Sequence, residues 1–132
     1  MKLPINVDLK GKVAVVTGAG GVLCSQFAEV LALSGAKVAL LDINEEAATK
    51  NAEAINALGG VAKAYKCNVL DKVSCMEVAE AVKADFGPCD ILINGAGGNN
   101  PKATTDKEYF EVGDLEADTK SFFDLDRKST RL

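Results

Sequence analysis

Apolar residues along the chain fall into two alternating patterns. Val13-Ala14-Val15-Val16, Val38-Ala39-Leu40-Leu41 and Ile91-Leu92-Ile93 are apolar at every position, and Val61 to Cys67 is a weaker run of similar length. Continuous runs of this length suit strands buried on both faces, as in a parallel sheet. Helical spacings lie between them. Leu23, Phe27, Val30 and Leu31 share one helix face, and Gly35 stands where a C-terminal cap belongs. Residues 44–58 are rich in Ala and Glu, with Ala48, Ala52 and Ile55 as an inward stripe that Gly59-Gly60 closes. Asp71 is placed to N-cap a third helix, whose stripe is Val78, Val82 and Phe86 and which Gly87-Pro88 ends. The predicted order is β-α-β-α-β-α-β. Strands alternating with helices of this length give an α/β fold with an open parallel sheet. Right-handed crossovers make it the N-terminal half of a doubly wound sheet, strand order 3-2-1-4. Beyond Asn94 the pattern is lost. Gly95 to Asp106 reads as loop, a short helix is predicted from near Asp106, and Tyr109, Phe110, Phe122 and Phe123 are scattered among acidic residues.

Composition narrows the function classes. A chain of 132 residues holds one domain. Its net charge of −4 is spread among interspersed acidic and basic residues, without the basic patch that nucleic acid requires. No apolar run approaches the roughly 20 residues that span a bilayer, so no membrane association is expected. The N-terminal residues lack a signal-peptide core, and a cytoplasmic location is expected. Cys24, Cys67, Cys75 and Cys89 form no C-x-x-C pair and the chain has no His, so no metal site is expected. The four thiols are expected to be free and packed as small apolar groups.

Chemistry-bearing residues cluster at strand ends. Thr17-Gly18-Ala19-Gly20-Gly21-Val22-Leu23-Cys24 leaves the first strand and opens the first helix, the context of a dinucleotide site. Gly18 can make the tight turn. Small residues at 19 to 21 would let bare backbone amides approach a pyrophosphate, which the positive end of the helix favours. A plain tight turn is the simpler reading of the same residues. Asp42 ends the second strand, where a carboxylate can accept from both ribose hydroxyls of adenosine. It would repel the 2′-phosphate of NADP, and no Arg follows to compensate, so NAD is expected. Alternatively, or as well, Asp42 caps the helix that follows.

These residues resemble the short-chain dehydrogenase/reductase family. Its T-G-x-x-x-G-x-G signature is matched at Thr17 and Gly18, while Val22 and Cys24 replace the later glycines and Gly20 and Gly21 partly compensate. Val22 needs a negative φ there. Cys67-Asn68-Val69 resembles the Asp-Val pair whose carboxylate meets the adenine amino group, with Asn68 keeping an acceptor. Asn94-Gly95-Ala96-Gly97 resembles the N-N-A-G segment that steadies the sheet and lines the cofactor cleft, with Gly95 in place of the second Asn. Together these motifs span Gly11 to about Gly98. The resemblance implies a Rossmann-type fold and a cofactor site made of Gly18, Gly20, Gly21, Val22, Leu23, Asp42, Asn68, Val69, Asn94, Ala96 and Gly97. It also implies hydride transfer at an alcohol or carbonyl carbon, with a homo-oligomeric parent protein.

Gly-Gly-Val-Leu-Cys and Asn-Gly-Ala-Gly-Gly-Asn-Asn-Pro are similar to the D-mannonate oxidoreductase (fructuronate reductase) branch of the family. That implies a sugar acid or polyol substrate. An enlarged loop over residues 98–124 would border the substrate mouth, where Lys102 and Lys107 either attract a carboxylate or are ordinary solvated lysines. The family's proton donor is a Tyr with a Lys four residues later. Tyr65 is followed at that distance by Val69 and Tyr109 by Gly113, so no catalytic residue is assigned.

The expected organisation is a partial nucleotide-binding domain over residues 1–125, inactive and marginally stable by itself, with 126–132 a non-native tail. Those seven residues can be encoded by GAT CGG AAG AGC ACA CGT CTG, which resembles a sequencing-adapter oligonucleotide. The competing readings are a non-catalytic nucleotide-binding module and an adenosylmethionine-type methyltransferase, against which Asn94-Gly95-Ala96-Gly97 argues.

Overall fold

The computed structural model describes residues 7–98, 109 and 111–113. Strand β1 (Val13–Thr17) leads through α1 (Val22–Leu33) to β2 (Lys37–Asp42). The chain then runs through α2 (Glu45–Ala57), β3 (Val61–Lys66) and α3 (Lys72–Asp85) to β4 (Ile91–Asn94). All pairings are parallel, in the order β3-β2-β1-β4. This is the predicted Rossmann-type half-sheet. The chain divides into two compact units, Met1–Ala96 and Gly97–Leu132, and these elements belong to the first.

Strand alternation sends side chains to two cores. Ala14, Val16, Val38 and Leu40 face α1 and α2, packing with Ala28, Ala32, Ala48, Ala52 and Ile55. Val13, Val15, Ala39 and Leu41 face α3, with Tyr65, Val78 and Val82. Being covered on both sides, β1 is buried at all of its positions, which is why its sequence does not alternate. The stripes predicted for α2 and α3 are the ones buried, with Phe86 half-buried beside the latter.

Helix α1 departs from expectation. Leu23, Phe27 and Val30 are exposed, Leu31 is half-buried, and the inward stripe is Cys24, Ala28 and Ala32. The helix leaves β1 after a short turn and lies close to the sheet and to α2, so small side chains fit beneath it. Gly60 shows how little room there is: a Cβ there would lie 2.8 Å from Ile55 Cγ2 and 3.0 Å from Ala32 Cβ.

Asp90 fixes the start of β4 against β1. Val13 N–H donates to Asp90 Oδ2 at 2.9 Å, Asp90 N–H donates to Val13 O at 2.9 Å, and Lys12 Nζ reaches Oδ1 at 3.1 Å. The helix predicted near Asp106, Lys102, Lys107, Phe110, Phe122, Phe123, the tail 126–132 and most of the 98–124 loop lie outside the described residues.

Candidate functional site

The carboxyl ends of β1 and β4 meet where the chain reverses its direction of travel across the sheet. In open α/β sheets this switch point is where ligands bind. Thr17 joins the two strand ends. Its Oγ1 accepts from Gly95 N–H at 3.0 Å and Ala96 N–H at 3.1 Å, and donates to Ile93 O at 3.4 Å. Gly18 turns with φ +70, and a Cβ on it would lie 2.9 Å from Ala96 Cα. A Cβ on Gly95 would run into Cys24 Sγ and lie 2.9 Å from Thr17 O. The turn after β1, the head of α1 and the exit of β4 are therefore interlocked through absent side chains.

Backbone hydrogen bonds around the turn correct one expectation. The amides of residues 19 to 21 are not bare. Ala19 N–H donates to Leu41 O at 3.1 Å, Gly20 N–H to Asp42 Oδ2 at 2.9 Å and Gly21 N–H to Gly18 O at 3.0 Å. The amides of Val22, Leu23 and Cys24 have no partner among the described residues, since the first helical bond runs from Ser25 N–H to Gly21 O. The N-cap, Gly21, brings no side chain, and the first turn of α1 holds no acidic residue. The unpartnered donors and the uncompensated positive end of the dipole thus begin at Val22, the first residue of α1, and not within residues 19 to 21. Val22 and Leu23 are exposed there, and every described residue with positive φ is a glycine, so Val22 meets its backbone condition.

Asp42 lies on the same side as this turn. Oδ2 accepts from Gly20 and Oδ1 accepts from Asn44 N–H at 2.9 Å. A carboxylate has about four lone-pair positions, so each oxygen keeps capacity for a hydroxyl donor. Asp42 does not cap α2. Asn44 does, its Oδ1 accepting from Ala47 N–H at 3.1 Å. A Cβ on Gly20 would lie 2.9 Å from Asp42 Cγ and 3.1 Å from Ala47 Cβ, so only glycine allows this approach.

The end of β3 comes alongside through Cys67 N–H, which donates to Asp42 O at 2.9 Å. Asn68 follows, half-buried, with N–H on Ser74 Oγ at 3.0 Å and Oδ1 accepting from Leu70 N–H at 3.1 Å. Val69 is exposed. Asn94 pairs in register with Thr17 and is exposed. The first unit thus gathers Gly18, Gly20, Gly21, Val22, Leu23, Asp42, Asn94 and Ala96 around the end of β1, with Asn68 and Val69 beyond Asp42. Gly97 opens the second unit and is not placed with them.

Tyr65 is not set up as a base. Tyr65 is on the α3 side of the sheet, and its hydroxyl donates to Asp85 Oδ2 at 2.7 Å. Burial, then the bond and charge of Asp85, push it well above the ordinary tyrosine range, the reverse of what proton abstraction needs. Tyr109 is exposed in the second unit. The cysteines are free; Cys24 and Cys67 are buried and Cys75 half-buried, but Cys89 is exposed rather than packed. Burial, then neighbouring Cys75, raises the Cys67 thiol. Among the described residues no group of three or more His, Cys, Asp or Glu could hold a metal. No described helix is long and apolar enough to cross a membrane.

Sequence reasoning missed Asn51, whose Nδ2 donates to Ala19 O at 2.8 Å, and Asp90. An Asn on a polar helix carries no signal of such a contact. Asp90, just before an apolar strand, carried a weak one.

Known proteins match this arrangement. The short chain dehydrogenase family model matches residues 12–122. An uncharacterized oxidoreductase of Haemophilus influenzae is 56% identical over 127 residues, covering 96% of this chain and 44% of the relative. An uncharacterized oxidoreductase of Bacillus subtilis, UxuB, is 44% identical over 126 residues, with the same coverages of 96% and 44%. The chain therefore spans less than half the length of these relatives. A crystal structure of a candidate D-mannonate oxidoreductase from Haemophilus influenzae with bound NAD superposes at TM-score 0.76, 56% identical, over 94% of this chain and 44% of that one. A metagenomic short-chain oxidoreductase in complex with NADP superposes at TM-score 0.68, 34% identical, over 72% of this chain and 43% of that one.

Proposed function

We propose that this chain, which belongs to the short-chain dehydrogenase family, is the NAD-binding portion of a longer oxidoreductase acting on a sugar acid. One observation carries the reading. The carboxylate of Asp42 stands beside the glycine turn, anchored through one lone pair on each oxygen, while the first amides of α1 have no partner among the described residues. A diphosphate needs bare amides at a helix N-terminus, and an unphosphorylated ribose needs a fixed acceptor pair. The donor and acceptor sets fit both halves of adenosine diphosphate.

In this reading Val22 and Leu23 offer amides to the pyrophosphate, Gly18, Gly20 and Gly21 shape the turn beneath it, and Asp42 receives the ribose hydroxyls. Asn68 and Val69 border the adenine, and Asn94 and Ala96 form the wall next to β4. NAD supplies the hydride chemistry when bound, and these residues bind and orient it. The proton donor comes from outside the described residues. Asp42 disfavours a 2′-phosphate by charge, so NAD is preferred to NADP. The substrate pair in this reading is D-mannonate and D-fructuronate, and similarity to the candidate D-mannonate oxidoreductase of Haemophilus influenzae supports the first of the two. Residues 1–125 are part of the nucleotide-binding domain, 126–132 are a non-native tail, and the whole enzyme is a cytoplasmic homo-oligomer.

The test is calorimetric titration of the full-length protein with NAD and NADP, followed by NADH formation with D-mannonate. NAD should bind more tightly than NADP, and Asp42→Ala should weaken NAD and narrow the difference. Equal binding of NAD by D42A and wild type would refute the reading of Asp42, and absence of turnover with D-mannonate would refute the substrate.

A further inference from the structure

We infer that Asn51 is a positioning residue that sets the orientation of Asp42, and through it the preference between NAD and NADP; this rests on the nucleotide reading above. Asn51 stands on α2 beside the buried stripe of Ala48, Ala52 and Ile55, half-buried and facing the turn after β1. Its Nδ2 donates to the carbonyl of Ala19 at 2.8 Å, across 32 residues of sequence. The N–H of the same peptide group, that of Gly20, donates to Asp42 Oδ2 at 2.9 Å.

A trans peptide is planar, and its C=O and N–H point in opposite directions. Fixing the Ala19 carbonyl on Asn51 therefore aims the Gly20 N–H away from α2's amide and onto the carboxylate. The Ala19–Gly20 peptide is clamped at both ends by side chains from different elements. Glycine makes this clamp necessary, because it costs little to rotate a peptide that adjoins Gly20. A flipped peptide would turn the Ala19 carbonyl oxygen toward Asp42, oxygen against carboxylate, and the side chain would swing away. Asn44 N–H on Oδ1 is then the only remaining described anchor of the carboxylate. With the clamp closed, both oxygens are held and their spare lone pairs point in fixed directions. That geometry suits a pair of vicinal hydroxyls and leaves a 2′-phosphate facing an immovable negative charge. With the clamp open, Asp42 can rotate, giving up hydroxyl contacts but also easing repulsion. Asn51 thus acts on selectivity without touching the ligand.

A double-mutant cycle on the full-length protein tests this, with Kd for NAD and for NADP measured by calorimetry on wild type, N51A, D42A and N51A/D42A. N51A should weaken NAD about tenfold, the effect of one interior hydrogen bond, and shrink the NAD-over-NADP preference several-fold. In the D42A background N51A should have no further effect on either dinucleotide, because its action passes through Asp42. A merely structural Asn51 would weaken both dinucleotides alike and add to D42A, and either result overturns the proposal. If N51A does not fold, Asn51→Leu, which is close in shape and loses the donor without adding charge, is expected to behave the same way in the cycle. A wild-type protein that binds NAD while N51A keeps both its affinity and its preference refutes the clamp alone. A wild-type protein that binds neither dinucleotide refutes the nucleotide reading and the clamp with it.

Discussion

Gly95 and Cys24 should be energetically coupled, and the geometry sets the size of the effect. A Cβ on Gly95 would overlap Cys24 Sγ, yet would lie 3.7 Å from Cys24 Cβ, an ordinary contact. The sulfur is thus the main obstacle, with Thr17 O at 2.9 Å as a second. Gly95 is absent from the positive-φ residues, so alanine there meets no backbone penalty of that kind. Gly95→Ala alone forces an overpacked contact, costing about 1–3 kcal/mol. Cys24→Ala alone removes one buried sulfur atom and leaves a small void, costing about 1 kcal/mol. Combined, the new methyl enters the void left by the sulfur, and the double variant should be more stable than the sum of the single effects by at least about 1 kcal/mol. Urea unfolding of the four proteins reads this directly, as midpoints at unchanged m-value. Additivity within about 0.5 kcal/mol would show that the two positions do not share space, and the packing account of the switch point would be wrong.

Two further outcomes are expected. Lys63, then Tyr65, hold the Asp85 carboxyl below the usual range, and the Val13 amide, then Lys12, do the same for Asp90. A carboxyl lowered by folding adds stability above its unfolded pKa, about 4, and that stability is lost as pH falls through the folded value. Urea midpoints should therefore decline below about pH 4, and the decline should be shallower in D85N and in D90N; an unchanged acid limb in both would refute the assignment. Leu40 is fully buried between β2 and the α1/α2 layer, so Leu40→Ala should cost about 2–5 kcal/mol by the same denaturation assay, and a loss below about 1 kcal/mol would contradict its place in the core.

How much the sequence disclosed depended on the kind of interaction. Strands covered on both faces announce themselves, because no position of Val13–Val16 can be polar. The α2 stripe was legible because Ala48, Ala52 and Ile55 recur at i, i+4 and i+7 and Gly59-Gly60 marks where the helix stops. Helix α1 was not, because it carries two apolar stripes. Side-chain size pointed to Leu23, Phe27 and Val30, whereas proximity to the sheet selected Cys24, Ala28 and Ala32. Asp42 was legible by its place at a strand end, but its division of labour with Asn44 was not. Both can cap a helix, and two residues of backbone geometry decide which one does. The Asn51 contact was invisible, since only the folded sheet brings α2 to the turn.

The amide pattern also changes what the departures from the family's glycine signature mean. Glycine is required where a Cβ would collide, and in this molecule those places include Gly18 against Ala96, Gly20 against Asp42 and Gly95 against Cys24. Val22 occupies a signature position, but it has a negative φ and lies exposed at the first position of α1, so its side chain meets no such wall. Cys24 occupies the other, and the room its sulfur needs is supplied by Gly95, which stands where the resembling segment carries a second Asn. One side chain has been gained on the helix and one given up on the β4 exit, at two positions in direct contact. Cys24 fits at the end of β1 because Gly95 brings no side chain against its sulfur. That is why two missing glycines leave the amides of Val22 and Leu23 still without protein partners among the described residues.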